Sequence, residues 1–320
     1  MKLVTLNSAP GGVAGAVLAS GEYVNLGLAA KRGTVEVWVP SSLRDILAGG
    51  PDGLRVVKGI VERIDELAEP ALQALRARGV VLPASTPLLA PIPEPRLLVA
   101  AGLAFHQHLK EMSGTPVPSK PTAFLKSVNS ITGPEAEVAV PSQAPAHVDY
   151  EGELAIVFGA ACYRVTPQQA SACIAGYTVA NDISARDWVY DVFTATEAWP
   201  ARQTWEVNIM GKQLPGFTPL GPVLATVDEF KDITHVRMET RLNGKVMQSV
   251  TFDDLIFTMA ETVSYLSQWY AFAPGDVLLT GTPAGVGVGR KPPVFMAAGD
   301  VIEVEVEGIG TLRNRLVADS

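Results

Sequence analysis

Two carboxylates separated by a single residue are the first sign of chemistry in this chain. Glu151 and Glu153 lie in Tyr150-Glu151-Gly152-Glu153-Leu154-Ala155-Ile156-Val157, a run that predicts a β-strand. Side chains alternate across a strand, so the two acids share one face, and Tyr150, Leu154, Ile156 and Phe158 share the other. Like charges so close repel unless a cation or a shared proton relieves them. A second acidic cluster, Asn181-Asp182-Ile183-Ser184-Ala185-Arg186-Asp187, follows another apolar run. Glu-x-Glu with a distant Asp supplies only oxygen donors, which suit a hard divalent ion such as Mg²⁺, Mn²⁺ or Ca²⁺. On spacing alone, such a pair is more often a solvated strand face. The acid face, however, continues as Ala155, Val157 and Gly159, so the two acids stand at the open end of a mostly covered strand.

Other residues could join them. His108 and Glu111 are three apart in Phe105-His106-Gln107-His108-Leu109-Lys110-Glu111. On a helix they share a face, and a carboxylate that orients an imidazole makes a general base for water. His106 is five residues from Glu111 and does not face it, so it ranks second. An ordinary surface turn of helix is the competing reading for both. His147 shares strand parity with Glu151 and Glu153, although an edge histidine explains it more simply. Gly285-Val286-Gly287-Val288-Gly289 has the look of a dinucleotide loop. That fingerprint needs a following helix, which Arg290-Lys291-Pro292-Pro293 precludes, so nucleotide binding is rejected.

The elements that must position these groups fall into two parts. The chain has 320 residues, enough for one large domain or a large and a small one. The first 18 residues contain one lysine and small apolar residues, but Asn7, Ser8, Pro10 and Gly11-Gly12 interrupt them, so a strand, a turn and a second strand are expected rather than a signal peptide. Ser41 to Gly50 reads as a capped helix with a glycine stop, and Val61 to Arg78 has helical periodicity. A proline-rich connector, Leu88 to Pro95, follows. Beyond it, β-rich segments alternate with turns. Thr166-Pro167 starts a helix that Gly176 is expected to end, and Asp253 to Trp269 is expected to form another. The domain boundaries read from this pattern are a small N-terminal α+β domain over 1–92 and a mainly β catalytic domain over 97–320. An excess of 33 acids over 25 bases argues against a nucleic-acid or anionic-membrane surface. No run approaches the length of a membrane span. The two cysteines, Cys162 and Cys173, form no disulfide framework, which makes a reducing cytoplasm the simpler home.

The motifs together resemble those of the fumarylacetoacetate hydrolase family. Asp149 to Ala155 and Asn181 to Asp187 are similar to its two metal-site motifs. Pro219-Leu220-Gly221-Pro222, the run from Pro274 to Gly287 and the closing run from Gly299 to Gly310 follow in the family's order. The resemblance covers roughly residues 97 to 316. It implies an α+β, mainly β fold with a catalytic β-roll or sandwich, a homodimer, and Mg²⁺ held by Glu151, Glu153 and Asp182. It also implies His108 with Glu111 as the base in a short helix or lid, Lys212 reaching the substrate, and Arg186, Thr282 and Lys126 contacting it. Solvated or structural roles compete for Lys212, Arg186 and Lys126. The chain departs from the family at Ala104-Phe105, at Val189 and over Gln213-Leu214-Pro215-Gly216, and it carries a longer, tryptophan-rich stretch between Asp187 and Lys212. These changes point to a more apolar pocket.

The activity implied is metal-dependent hydrolysis of a carbon–carbon bond in a 1,3-dicarbonyl compound, an acylpyruvate or diketone, through a metal-held enolate, as in aromatic-compound catabolism. Decarboxylation of a β-keto acid such as oxaloacetate, or keto–enol tautomerisation, would use the same enolate. A non-catalytic metabolite-binding protein on an inherited scaffold is the remaining alternative.

Overall fold

The strand that carries Glu153 runs from Gly152 to Phe158 and is buried along its whole length. In this computed structural model, which describes residues 1–31, 38–112, 115–190 and 197–319, Glu151 stands just ahead of that strand rather than inside it. The alternation holds. Ala155 and Val157 enter one apolar cluster, and Leu154, Ile156 and Phe158 enter another. Both faces of the strand are therefore covered, and only its N-terminal end is left to carry charge.

Antiparallel partners flank it on both sides, Ile174–Asn181 and Val277–Leu279. Among the described residues, these are central members of a twelve-stranded sheet. From the middle the sheet runs one way through Thr218–Thr226, Lys2–Leu6, Val13–Val17 and Tyr23–Asn25 to Val81–Leu82, and the other way through Leu98–Gly102 to the edge strand Thr122–Leu125. A second sheet of five strands is ordered Lys245–Thr251, Arg237–Leu242, Val301–Val306, Gly310–Ala318 and Glu137–Val140. Its strand Val301–Val306 buries every other residue, the pattern of a sheet with one face on a core. Val304, Val306, Met238 and Leu312 from this sheet pack with Leu154, Ile156 and Phe158 from the first. The architecture is α+β and mainly β, as the sequence predicts.

The connector near residue 92 does not interrupt the sheet. Lys2–Leu6 pairs with Thr218–Thr226 through Lys2↔Ala225 and Leu3↔Leu224. One apolar cluster holds Leu3, Val57 and Ile60 together with Leu220, Leu224 and Leu279. The first ninety residues share both sheet and core with the rest of the chain.

The predicted helices are present with altered bounds. Ser42 caps Leu43–Ala48 by accepting from the Asp45 N–H, and Gly49 ends it. The periodicity of Val61 to Arg78 is divided between two helices, Gly50–Asp65 and Glu69–Ala77. Pro70 lies in the first turn of the second, where its missing N–H costs nothing; inside a continuous helix it would break the ladder. Thr166 caps Pro167–Ala170 in a reciprocal capping box with Gln169, but Gly176 does not end that helix. It lies within Ile174–Asn181, where a Cβ would stand 2.2 Å from the Ala225 carbonyl oxygen, so it is a site of close strand approach. The helix expected over Asp253 to Trp269 is confined to Met259–Leu266, started by a capping box of Thr258 and Glu261. Among the described residues, no helix is long and apolar enough to cross a membrane.

Candidate active site

Antiparallel pairing brings the acids together. The register Gly152↔Asn181 sets the start of one strand against the end of the next, so Asp182 emerges beside Glu151 and Glu153. Two hydrogen bonds lock this corner: the Asp182 N–H donates to the Glu151 carbonyl at 2.8 Å, and the Glu151 N–H donates to the Asn181 side chain at 3.0 Å. All three carboxyl groups are buried, and each offers an oxygen within 4.8 Å of the other two.

Buried cations surround them. The Lys212 ammonium donates to Glu151 Oε2 at 2.6 Å, Asp182 Oδ2 at 2.9 Å and Ser184 Oγ at 2.8 Å. Arg186 donates through Nη2 to Glu151, through Nε to Asp149 at 3.2 Å and through Nη1 to Asn208 at 2.7 Å. Lys126 pairs with the other oxygen of Asp182 and donates to the Phe217 carbonyl at 3.2 Å. With Asp149 included, four buried acids face three buried bases. Burial alone would raise the Glu151 carboxyl, but Lys212 and Arg186 outweigh it and hold the group below its usual range. Glu153 lies at the other extreme. Burial, Asp182 and Glu151 all push its carboxyl well above the ordinary value, and the Gly281 N–H at 2.7 Å offsets this only in part. A cluster of all-oxygen donors in which carboxyl groups outnumber bases fits a hard divalent cation, whose charge would let Glu153 ionise.

His108 and Glu111 lie on the short helix His106–Glu111, with His108 Nδ1 3.3 Å from Glu111 Oε2. The glycine loop that invited a nucleotide reading holds this pair. The Gly285 N–H donates to the Glu111 carboxylate at 3.0 and 3.1 Å, and the N–H groups of Gly287 and Val288 donate to Asp149 at 2.7 and 3.2 Å. A side chain could not replace these glycines freely. Gly285 has φ +104° with the Met247 carbonyl 2.2 Å from where a Cβ would lie, and at Gly289 a Cβ would be 2.4 Å from Glu111 Cδ. The three carboxylates, His108, Arg186, Lys212 and Thr282 all line one cavity of about 300 Å³.

This arrangement has counterparts in known proteins. The family model described as fumarylacetoacetate (FAA) hydrolase, C-terminal, matches residues 98–317. The chain belongs to the fumarylacetoacetate hydrolase family. It is 40% identical over 248 residues to a human protein named oxaloacetate tautomerase FAHD2A, mitochondrial, covering 77% of this chain and 75% of that one. It is 35% identical over 271 residues to a Sphingomonas protein named 2,4-didehydro-3-deoxy-L-rhamnonate hydrolase, covering 82% and 88%. Among solved structures, the fumarylacetoacetate hydrolase of Exiguobacterium antarcticum superposes with a TM-score of 0.76 at 30% identity over the full length of both chains. These family relatives are enzymes by name.

Against the expectations drawn from the family motifs, several placements differ. Lys126 is not at the pocket edge: it is buried behind Asp182 and does not line the cavity. Burial lowers its pKa, with Asp182 opposing the shift. Thr282 does line the cavity, but its hydroxyl already accepts from Gln248 at 2.8 Å and donates to the Gly152 carbonyl at 3.1 Å. His147, for which an edge position was the simpler reading, pairs with Asp187 at 3.2 Å, meets the Phe295 ring edge-on and does not line the cavity. Sequence reasoning gave no role to Asp149, although it stood in the quoted motif, nor to Ser184, Asn208 or Gln248. Gln248 has no local signature, since it reaches Gly152 from a strand of the other sheet.

Proposed function

We propose that this chain is a divalent-metal-dependent enzyme that forms and reprotonates the enolate of a small 2-keto acid or 1,3-dicarbonyl compound. The observation that supports this most is the shared cavity, lined both by His108, which Glu111 holds, and by the three-carboxylate cluster. Glu151, Glu153 and Asp182 are the residues that would hold the ion, Mg²⁺ first, with Mn²⁺ or Ca²⁺ as alternatives. Bound there, it would act as a Lewis acid on the substrate's oxygens. Glu111 orients His108 through Nδ1, which leaves Nε2 to exchange a proton with the substrate. Lys212 and Arg186 hold Glu151 and Asp182 in place, and their charge lies beside the developing oxyanion.

Sequence motifs placed carbon–carbon hydrolysis first. Identity to the human tautomerase supports keto–enol interconversion as the leading reaction, with His108 removing a proton from carbon. Hydrolysis is the second reading, favoured by the Sphingomonas relative, with the same histidine taking a proton from water. We propose a cytoplasmic homodimer as the working form. The test follows oxaloacetate enol decay and acylpyruvate consumption, each with Mg²⁺, Mn²⁺ or EDTA. Metal-dependent enol decay without bond cleavage supports the tautomerase; release of a carboxylic acid supports the hydrolase. Turnover that ignores EDTA would remove the proposal, as would binding without any turnover, which would favour a metabolite-binding protein.

A further inference from the structure

The two walls of the cavity differ in kind. One carries the acids and their cations. The rest of the lining is mainly apolar, with Leu103, Met112, Phe124, Trp205, Val286 and Val288, and includes Thr115 and Thr204. Among the described residues, the groups lining the cavity that can carry positive charge are Arg186, Lys212 and the His108 ring. Each nitrogen of Arg186 is committed to Asp149, Asn208 or Glu151. The ammonium of Lys212 has three donors and three protein acceptors. His108 is held by Glu111. These charged groups lie with the acids, so the apolar side chains are the part of the lining that meets a substrate's far substituent.

The same wall suits a ring or branched alkyl group. Trp205 is 41% exposed although it borders the cavity, so a ligand has indole surface left to cover. Its ring meets Phe124 edge-on, with centroids 6.4 Å apart at 88°, leaving the corner open to a further aromatic contact. Gly102 lets the indole lie against the backbone: a Cβ there would come within 3.2 Å of Trp205 Cη2. Phe124 also lies 5.8 Å below the Lys212 ammonium, so the apolar wall begins directly beside the charged one. Trp205 belongs to the helix Ala198–Met210, inside the tryptophan-rich stretch where the chain departs from the family motifs.

We infer that the substrate is a 2-keto acid or 1,3-dicarbonyl whose far substituent is aryl or branched alkyl, with Trp205 and Phe124 as its specificity wall. This rests on the proposed binding of a keto acid at the acid cluster. The test is calorimetric binding, with Mn²⁺ present, of pyruvate and phenylpyruvate to the full-length chain. The wild-type protein should bind phenylpyruvate at least about tenfold more tightly than pyruvate. Trp205→Ala should weaken phenylpyruvate by about tenfold, the scale of one lost aromatic contact with its buried area, and leave pyruvate within about twofold. Trp205→Phe should restore most of the loss. Equal or tighter binding of pyruvate by the wild type overturns the inference and leaves the keto-acid site standing, and this comparison needs no variant. An equal loss of pyruvate and phenylpyruvate in Trp205→Ala overturns the specificity role. If neither ligand binds with Mn²⁺ present, the keto-acid site falls and the inference with it.

Discussion

Glu153 is a carboxylate that the fold prefers to keep protonated. Burial and the charges of Asp182 and Glu151 raise it well above 4.5, so without a cation the folded chain holds a proton there that the unfolded chain releases. Where the folded state binds more protons, stability falls as pH rises. The Glu153 contribution is therefore full below the unfolded value of 4.5 and is lost as pH climbs toward the raised folded value. Glu153→Gln keeps an acceptor for Gly281 and removes the titration. In the absence of metal it should melt a few degrees above the wild type at neutral pH, yet show no binding of Mn²⁺ or Mg²⁺ by calorimetry. A lower melting temperature would mean that the carboxylate is held ionised after all. Glu151 should behave in the opposite way. Glu151→Gln leaves Lys212 and Arg186 with an uncompensated buried charge, a loss of about 3–5 kcal/mol in denaturant unfolding. His108→Ala should lower kcat/KM by about 10²–10⁴-fold, the usual worth of a positioned acid–base group. His106, exposed and outside the cavity, should be replaceable by alanine with little effect. A reversal of that order would assign the base to the wrong histidine.

The Gly285–Gly289 loop fixes where Glu111 can stand. Gly289→Ala sets a Cβ against the Glu111 carboxyl and should displace it from His108. We expect kcat to fall about as far as in Glu111→Ala while Mn²⁺ affinity stays near wild type; a parallel loss of metal affinity would mean that the loop's grip on Asp149 had slipped as well. The acid pair was legible in the sequence because strand alternation is a local rule, and Ala155 and Val157 on the same face already signalled cover. The His108–Glu111 pair was legible for the same reason, since one helical turn defines it. Lys126 was not, because a lysine at a strand end looks solvated until Asp182, 56 residues away, is known to meet it. The loop's grip on Asp149 was not legible either, because that partner lies 138 residues off, beyond any local pattern. The single helical period over Val61 to Arg78 misled because two successive amphipathic helices present the same stripe as one.

For the molecule as a whole, the continuity of the sheet matters more than the connector at residue 92. Lys2–Leu6 sits between Val13–Val17 and Thr218–Thr226, and the cluster around it draws on both ends of the sequence. Calorimetry on the intact chain should therefore show one cooperative transition; two well-separated transitions would mark residues 1–92 as an independent unit. Sedimentation at micromolar concentration should give the mass of a dimer, and a monomer would remove that part of the proposal. The sheet also divides the cavity by depth. The acids hang from central strands, pinned on both sides, whereas Phe124 rides on the edge strand Thr122–Leu125 and Trp205 on a half-exposed helix. Heritable change therefore meets unequal resistance in the two walls. A lineage can redraw the edge and the helix to accept a new metabolite while the reaction centre passes through unchanged, so relatives of this chain can share a chemistry and differ in diet.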